Sequence, residues 1–147
     1  MKDSANEVLD HLAFLTRHID GSNMPAVTML VLIELDIPMG TLGFDHLETG
    51  IVAFSNDSAK TLANGIYETI ISSYDIKLTK DTVEQAIRSS ISSAWKIKDI
   101  DVWKYYFSQN VYDTMKKPEN VEFITRLGRF LRLWKICWKE VACNGRK

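Results

Sequence analysis

Little in this chain points to an unusual compartment or to chemistry carried by a few reactive atoms. Its 147 residues include only two cysteines, Cys137 and Cys143. Their spacing is neither that of a redox pair nor that of a zinc-binding pair, so reduced structural thiols are expected. No apolar run approaches the ~20 residues that span a bilayer. The start, MKDSANEV, carries two acids and no long apolar stretch, so a secretory signal is not expected and a cytoplasmic protein is. GxGxxG, GxxxxGK[ST], HExxH and GxSxG are all missing, which removes the local signatures of phosphate cradles, zincin sites and nucleophile elbows. A protein that is not an enzyme, with no cofactor and no metal, is the expectation. His11 and His18 lie on one helical segment beside Asp10 but would need ligands from elsewhere, so surface or internally satisfied histidines are preferred. His46 shows no partner in the sequence.

A marked excess of charge of one sign is also lacking, with 18 Lys/Arg against 19 Asp/Glu. The charges are nevertheless unevenly spread. Residues 1–60 hold three basic and nine acidic side chains, whereas residues 61–147 hold fifteen and ten. That asymmetry is compatible with a nucleic-acid partner for the second half, although overall neutrality is unlike most DNA-binding modules. The length suits one domain, able to bury roughly two-thirds of its unfolded surface without disulfide or metal staples.

What is present is helical periodicity, with almost no strand signal. Residues 6–19 place Val8, Leu12, Leu15 and Ile19 at helical spacing before the Gly21-Ser22-Asn23 break. Residues 25–36 start with a proline suited to a first helical turn and stop before Pro38. This run is apolar on nearly all sides, so a buried strand competes with the preferred helix. A third helix is expected over 43–55, and a fourth over 58–74 on the stripe Leu62, Ile66, Ile70 and Tyr74. A fifth covers DTVEQAIRSSISSAW, residues 81–95, capped by Thr79 or Asp81, with Glu84 placed to complete a box from Asp81. Residues 99–108 and 119–141 supply two more. The expected fold is an all-α, compact bundle of six to seven helices.

The fifth helix poses the functional question. Val83, Ala86, Ile87, Ile91 and Ala94 form a face that must dock on a core, yet the opposite stripe, Thr82, Gln85, Arg88, Ser89 and Ser92, is polar and nearly uncharged. An ordinary solvated helix carries more Lys and Glu there, in i,i+4 pairs. Helices four and five, joined by a short link, have the pattern of a helix-turn-helix, whose second helix enters the major groove. There Gln suits adenine, Arg suits guanine or a phosphate, and Thr offers a hydroxyl or a methyl. Any two packed amphipathic helices give the same periodicity, so a tolerated serine-rich surface remains the competing reading.

Several blocks in order carry a resemblance: ELDIPMGTLGFDHLETGI (34–51), VEQAIRSSISSAW (83–95), KKPENVEFI (116–124) and LRL (131–133). Over about residues 25–134 the chain resembles the C-terminal DNA-binding effector domain family of stage zero sporulation protein A. The resemblance implies an all-α domain with a helix-turn-helix at about 60–95, the fifth helix being the recognition helix. It also implies a sequence-specific transcriptional regulator of sporulation whose target is a short TGTCGAA-like box in duplex DNA. Thr82, Gln85, Arg88, Ser89 and Ser92 are the expected base-side residues, with Lys96, Lys116 and Lys117 toward phosphates. RNA polymerase and a second copy of the chain are the other expected partners, and a membrane is not.

This chain departs from the family at informative places. Thr82 and Gln85 stand where the family carries arginines, and Ser89 stands at a usual histidine, while Arg88 matches. The turn before the fifth helix is about two residues longer, and Met115 replaces a common lysine. The 24 residues ahead of the resemblance hold one extra helix, too little for a phosphoacceptor receiver domain. Residues 135–147 form a C-terminal helical extension. In the tail RFLRLWKICWKEVACNGRK (129–147), the Phe130, Leu133, Trp134, Cys137, Trp138 and Val141 side is expected to close the core, with Arg129, Arg132, Lys135 and Lys139 elsewhere. The rival functional reading is a protein-interaction or antagonist domain that keeps the fold and has lost DNA binding.

Overall fold

The structure, a computed structural model, describes residues 4–107 and 116–143, with side chains placed over 6–107 and 116–138. Among the described residues there are eight helices and no strands: α1 (Ser4–Leu15), α2 (Met24–Glu34), α3 (Leu42–Asn56), α4 (Ser58–Asn64), α5 (Ile66–Ile71), α6 (Lys80–Ile97), α7 (Ile100–Phe107) and α8 (Asn120–Cys143). Local chemistry sets most of their starts. Asn23, Thr41, Asp57 and Thr79 each accept a hydrogen bond from a backbone N–H three residues on, at 3.0–3.2 Å, which satisfies one orphan donor of each first turn. The apolar run after Pro25 is a helix, not a strand. It ends where Asp36 takes a left-handed φ of 64°, a conformation that Asp tolerates better than most residues.

The expected fourth helix is two helices. Gly65 has φ 86°, which ends α4 and starts α5, and an L side chain rarely adopts that backbone. The expected stripe holds at Ile66, Ile70 and the half-buried Tyr74 but fails at Leu62. Leu62 is 52% exposed, whereas Thr61 is buried and donates to the Ala53 carbonyl. This break raises the helix count above the six to seven expected. α1 also stops early, at Leu15, and Ile19 is exposed beyond it.

α3 runs through the middle, packed against α8 and α6 and flanked by α2, α4 and α5. Its approach to α6 is so close that a Cβ on Gly43 would lie 1.9 Å from Ser90 Oγ and 2.4 Å from the Ala86 carbonyl oxygen. Phe44, Leu47, Ile51 and Phe54 bury against Val83, Ile87, Ile91 and Ala94 of α6 and Phe123, Ile124, Leu127 and Leu131 of α8 as parts of one core. Trp103 and Phe107 of α7 complete it beside Phe123, at centroid distances of 5.3–6.0 Å.

The two terminal segments join this core. Val8 and Leu12 of α1 are fully buried, and Trp134 is buried while donating from Nε1 to the Gly21 carbonyl at 2.9 Å. α1 is also held by a polar clasp: His11 and Tyr106 both bond the Glu34 carboxylate, and the His11 ring stacks on Tyr105 at 4.0 Å. His11 is thus internally satisfied. α8 is continuous, so residues 135–143 are the far end of a core helix. The side chains of Lys139 and Val141, and all of Met115, lie outside the described residues.

Candidate nucleic-acid interface

α6 is amphipathic in the sense its sequence requires. Val83, Ile87, Ile91 and Ala94 are all essentially inaccessible, and Ser90 is buried with them, 3.5 Å from Thr41 Oγ1. Thr82, Gln85, Arg88 and Ser89 are exposed on the other side, within the first three turns. Ser92 is half-buried and Lys96, one turn further, is exposed. The helix is presented by α5 and the intervening residues 72–79, with Ile66 and Ile70 burying toward the core.

Thr79, not Asp81, caps α6, so the third helical residue is Thr82. The box expected between Asp81 and Glu84 does not form. Instead the Thr79 and Thr82 hydroxyls bond each other at 2.7 Å, and the Glu84 carboxylate takes the guanidinium of Arg88, one turn on. Arg88 therefore starts paired. The pair is half-exposed, and such an i,i+4 pair contributes only about 0.3–0.5 kcal/mol, so a phosphate or guanine edge can displace it.

A second segment meets the same face. Lys117 Nζ donates to Ser92 Oγ at 2.9 Å, and Lys116 is exposed beside it. A groove of about 360 Å³ lies between α6 and this segment, with Arg88, Glu84 and Lys117 at its polar side and Tyr67, Ile91 and Pro118 at its apolar side. Burial pushes the Tyr67 hydroxyl pKa up, against the pull of its hydrogen bond from Asn120. The hydroxyl therefore stays protonated near neutrality.

The structure thus brings Thr82, Gln85, Arg88 and Ser89 together, and adds Ser92 with Lys117. Lys80, Tyr67 and Asn120 were missed in the sequence reading, and Glu84 was read there only as part of a cap. Lys80, the first residue of α6, places its ammonium 5.8 Å from the Tyr67 ring centroid. Glu84 pairs Arg88, and Asn120 bonds both Tyr67 and the Glu84 carbonyl. Lys80 had a local signal as a cation next to the cap, and Glu84 had one in its i,i+4 spacing to Arg88. The face as a whole is mixed in sign, because Asp81, Glu84 and Glu119 sit among its cations. Elsewhere, His46 proves to have a partner: Nδ1 bonds the Tyr74 hydroxyl at 3.0 Å while Nε2 is buried unpaired. Burial lowers its pKa, with Asp45 opposing. Among the described residues no cluster of three His, Cys, Asp or Glu is arranged to hold a metal, and no helix is long and apolar enough to cross a membrane.

Residues 28–131 match the family described as Sporulation initiation factor Spo0A C terminal. The match starts inside α2 and ends inside α8, so it takes in the whole of α3 to α7 and the candidate face. α1 and the second half of α8 lie outside it.

Proposed function

The chain belongs to the sporulation initiation factor Spo0A C-terminal family, a family of DNA-binding regulatory domains, and from that premise we propose that it reads duplex DNA sequence-specifically through α6. The observation that carries this is the exposed row Thr82, Gln85, Arg88 and Ser89 on a helix whose other side is locked into the core. α4 and α5 act as the first part of the helix-turn-helix and α6 as its recognition helix, in the major groove. Gln85 pairs with an adenine edge, Arg88 with a guanine or an adjacent phosphate, and Thr82, Ser89 and Ser92 make shorter polar contacts. Lys96, Lys116 and Lys117 contact the backbone, and the target is a TGTCGAA-like box. The regulator acts on transcription by RNA polymerase and binds as a pair of copies where boxes are paired.

The test is a binding titration of wild type, Arg88→Ala and Gln85→Arg against a duplex library at fixed salt. Arg88→Ala is expected to weaken box binding by about 1–3 kcal/mol, the worth of one good base contact. Gln85→Arg should move the preferred base at its position from adenine to guanine. Both variants keep the fold, because these side chains are exposed.

A second reading is favoured by one set of observations: Thr82 and Gln85 replace cations, and Arg88 is already paired with Glu84. In that reading α6 is a protein-binding face that has lost DNA. Unselective wild-type binding and indifference to both substitutions would favour it.

A further inference from the structure

Asn120, the first residue of α8, is 8% exposed and lies 36 residues from the helix it touches. Its amide nitrogen donates to the Glu84 carbonyl oxygen at 3.0 Å and to the Tyr67 hydroxyl at 3.2 Å. A side-chain amide has two N–H donors, and both are spent here. One bond goes to α6 and the other to α5, so a single planar group spans the two helices assigned to the helix-turn-helix, from a third element outside it. The position on α6 is informative. Glu84 adjoins Gln85, and its carboxylate holds Arg88, so the anchored carbonyl lies amid the exposed row. A helical carbonyl ordinarily serves one N–H four residues on, and its second lone pair is free for such a bond. Lys117, three residues before Asn120, adds a tether at Ser92 on the same helix.

We propose that Asn120 is a positioning residue for DNA reading: by holding the Glu84 carbonyl and the Tyr67 hydroxyl at once it fixes the angle of α6 to α5, and hence which base edges the exposed row meets. This rests on the proposed DNA-reading function. The clamp touches no nucleic acid. Losing it leaves the cations in place, so sequence-independent attraction to phosphates survives while base registration suffers.

The experiment uses the full chain and two duplexes, one with a TGTCGAA-like box and one with the box scrambled, titrated at fixed salt. Asn120→Asp keeps the shape but cannot donate, and Asn120→Ala removes the group. For both, the ratio of box to scrambled affinity is expected to fall roughly tenfold, the equivalent of one lost base contact. For Asn120→Ala, which adds no charge, scrambled-duplex affinity and its salt slope stay at wild-type values, whereas the new carboxylate of Asn120→Asp lowers both affinities beyond the change in their ratio. Tyr67→Phe, which deletes a single oxygen, should give a smaller loss of the ratio and serves if the Asn120 variants do not fold. A folded Asn120→Asp or Asn120→Ala protein with the wild-type ratio would overturn the clamp alone, as would a proportional loss on both duplexes for Asn120→Ala. A wild-type protein with no box preference would overturn the DNA-reading function, and the positioning role with it.

Discussion

Adding one carbon at Gly43 is the most local way to move α6 without touching its exposed face. In Gly43→Ala the new Cβ would stand 1.9 Å from Ser90 Oγ, 2.8 Å from Ser90 Cβ and 2.4 Å from the Ala86 carbonyl oxygen. The hydroxyl can rotate away. The carbonyl cannot, because it belongs to the backbone of α6, so the two helices must separate by something near an ångström. Overpacking of this kind costs typically 1–3 kcal/mol, and two blocked neighbours place Gly43 at the upper end. Replacing a helical glycine by alanine returns about 0.8–1 kcal/mol of propensity. The expected net loss is about 2 kcal/mol, which for a domain of this size is a fall in melting temperature of roughly 5 °C. Urea denaturation of wild type, Gly43→Ala and Gly43→Ala/Ser90→Ala measures it. The double variant should recover only part of the loss, since it frees the hydroxyl but not the carbonyl. A Gly43→Ala protein as stable as wild type, or more so, would refute the close approach of α3 and α6.

Three further outcomes are expected. Trp134→Phe removes the donor to the buried Gly21 carbonyl and should cost about 1–3 kcal/mol in the same urea assay, the penalty for an unpaired buried group; no loss would mean that the two terminal segments are not joined. The His46 ring should titrate below the ordinary 6.5 in an NMR pH series, because burial disfavours its charged form. The neutral ring is the folded preference, so its contribution to stability is complete above pH 6.5 and declines as pH falls through that value toward the lower folded pKa; a midpoint above 6.5 would contradict this. Duplex binding should depend weakly on salt, since each phosphate neutralised adds about 0.9 to the slope of log K against log salt and the acids on this face offset its cations; a slope steeper than about −6 would contradict that.

The inner face of α6 was legible because a period of 3.6 residues over eighteen positions leaves little choice about which side chains meet a core. The helical state of the apolar run after Pro25 follows from equally local chemistry, a proline suited to the first helical turn. Gly65 was not legible. A single glycine inside a helical pattern is often tolerated, and the φ of 86° at which Gly65 ends α4 is set by the folded chain rather than by any neighbouring residue type. The cap of α6 was ambiguous for a related reason, since Thr79 and Asp81 are both good capping residues and the sequence contains no record of which one the chain bends at. The clamp around Asn120 lay beyond sequence reading altogether. Its partners are 53 and 36 residues away, and a lone asparagine two residues after a proline reads as loop punctuation. The outward row of α6 was visible as a pattern, and its pairing of Arg88 with Glu84 was visible only as a spacing that the capping alternative also used.

The most direct test of the central claim is a titration of the wild-type chain against two duplexes, one carrying a TGTCGAA-like box and one with random sequence, each at two salt concentrations. Recognition through α6 predicts a box preference of roughly a hundredfold, below the usual specific range because Thr82 and Gln85 supply no cationic base contact. It also predicts that added salt weakens both complexes to a similar, modest degree, so that the preference persists. Equal affinity for the two duplexes at both salt concentrations, or no binding to either, would contradict it.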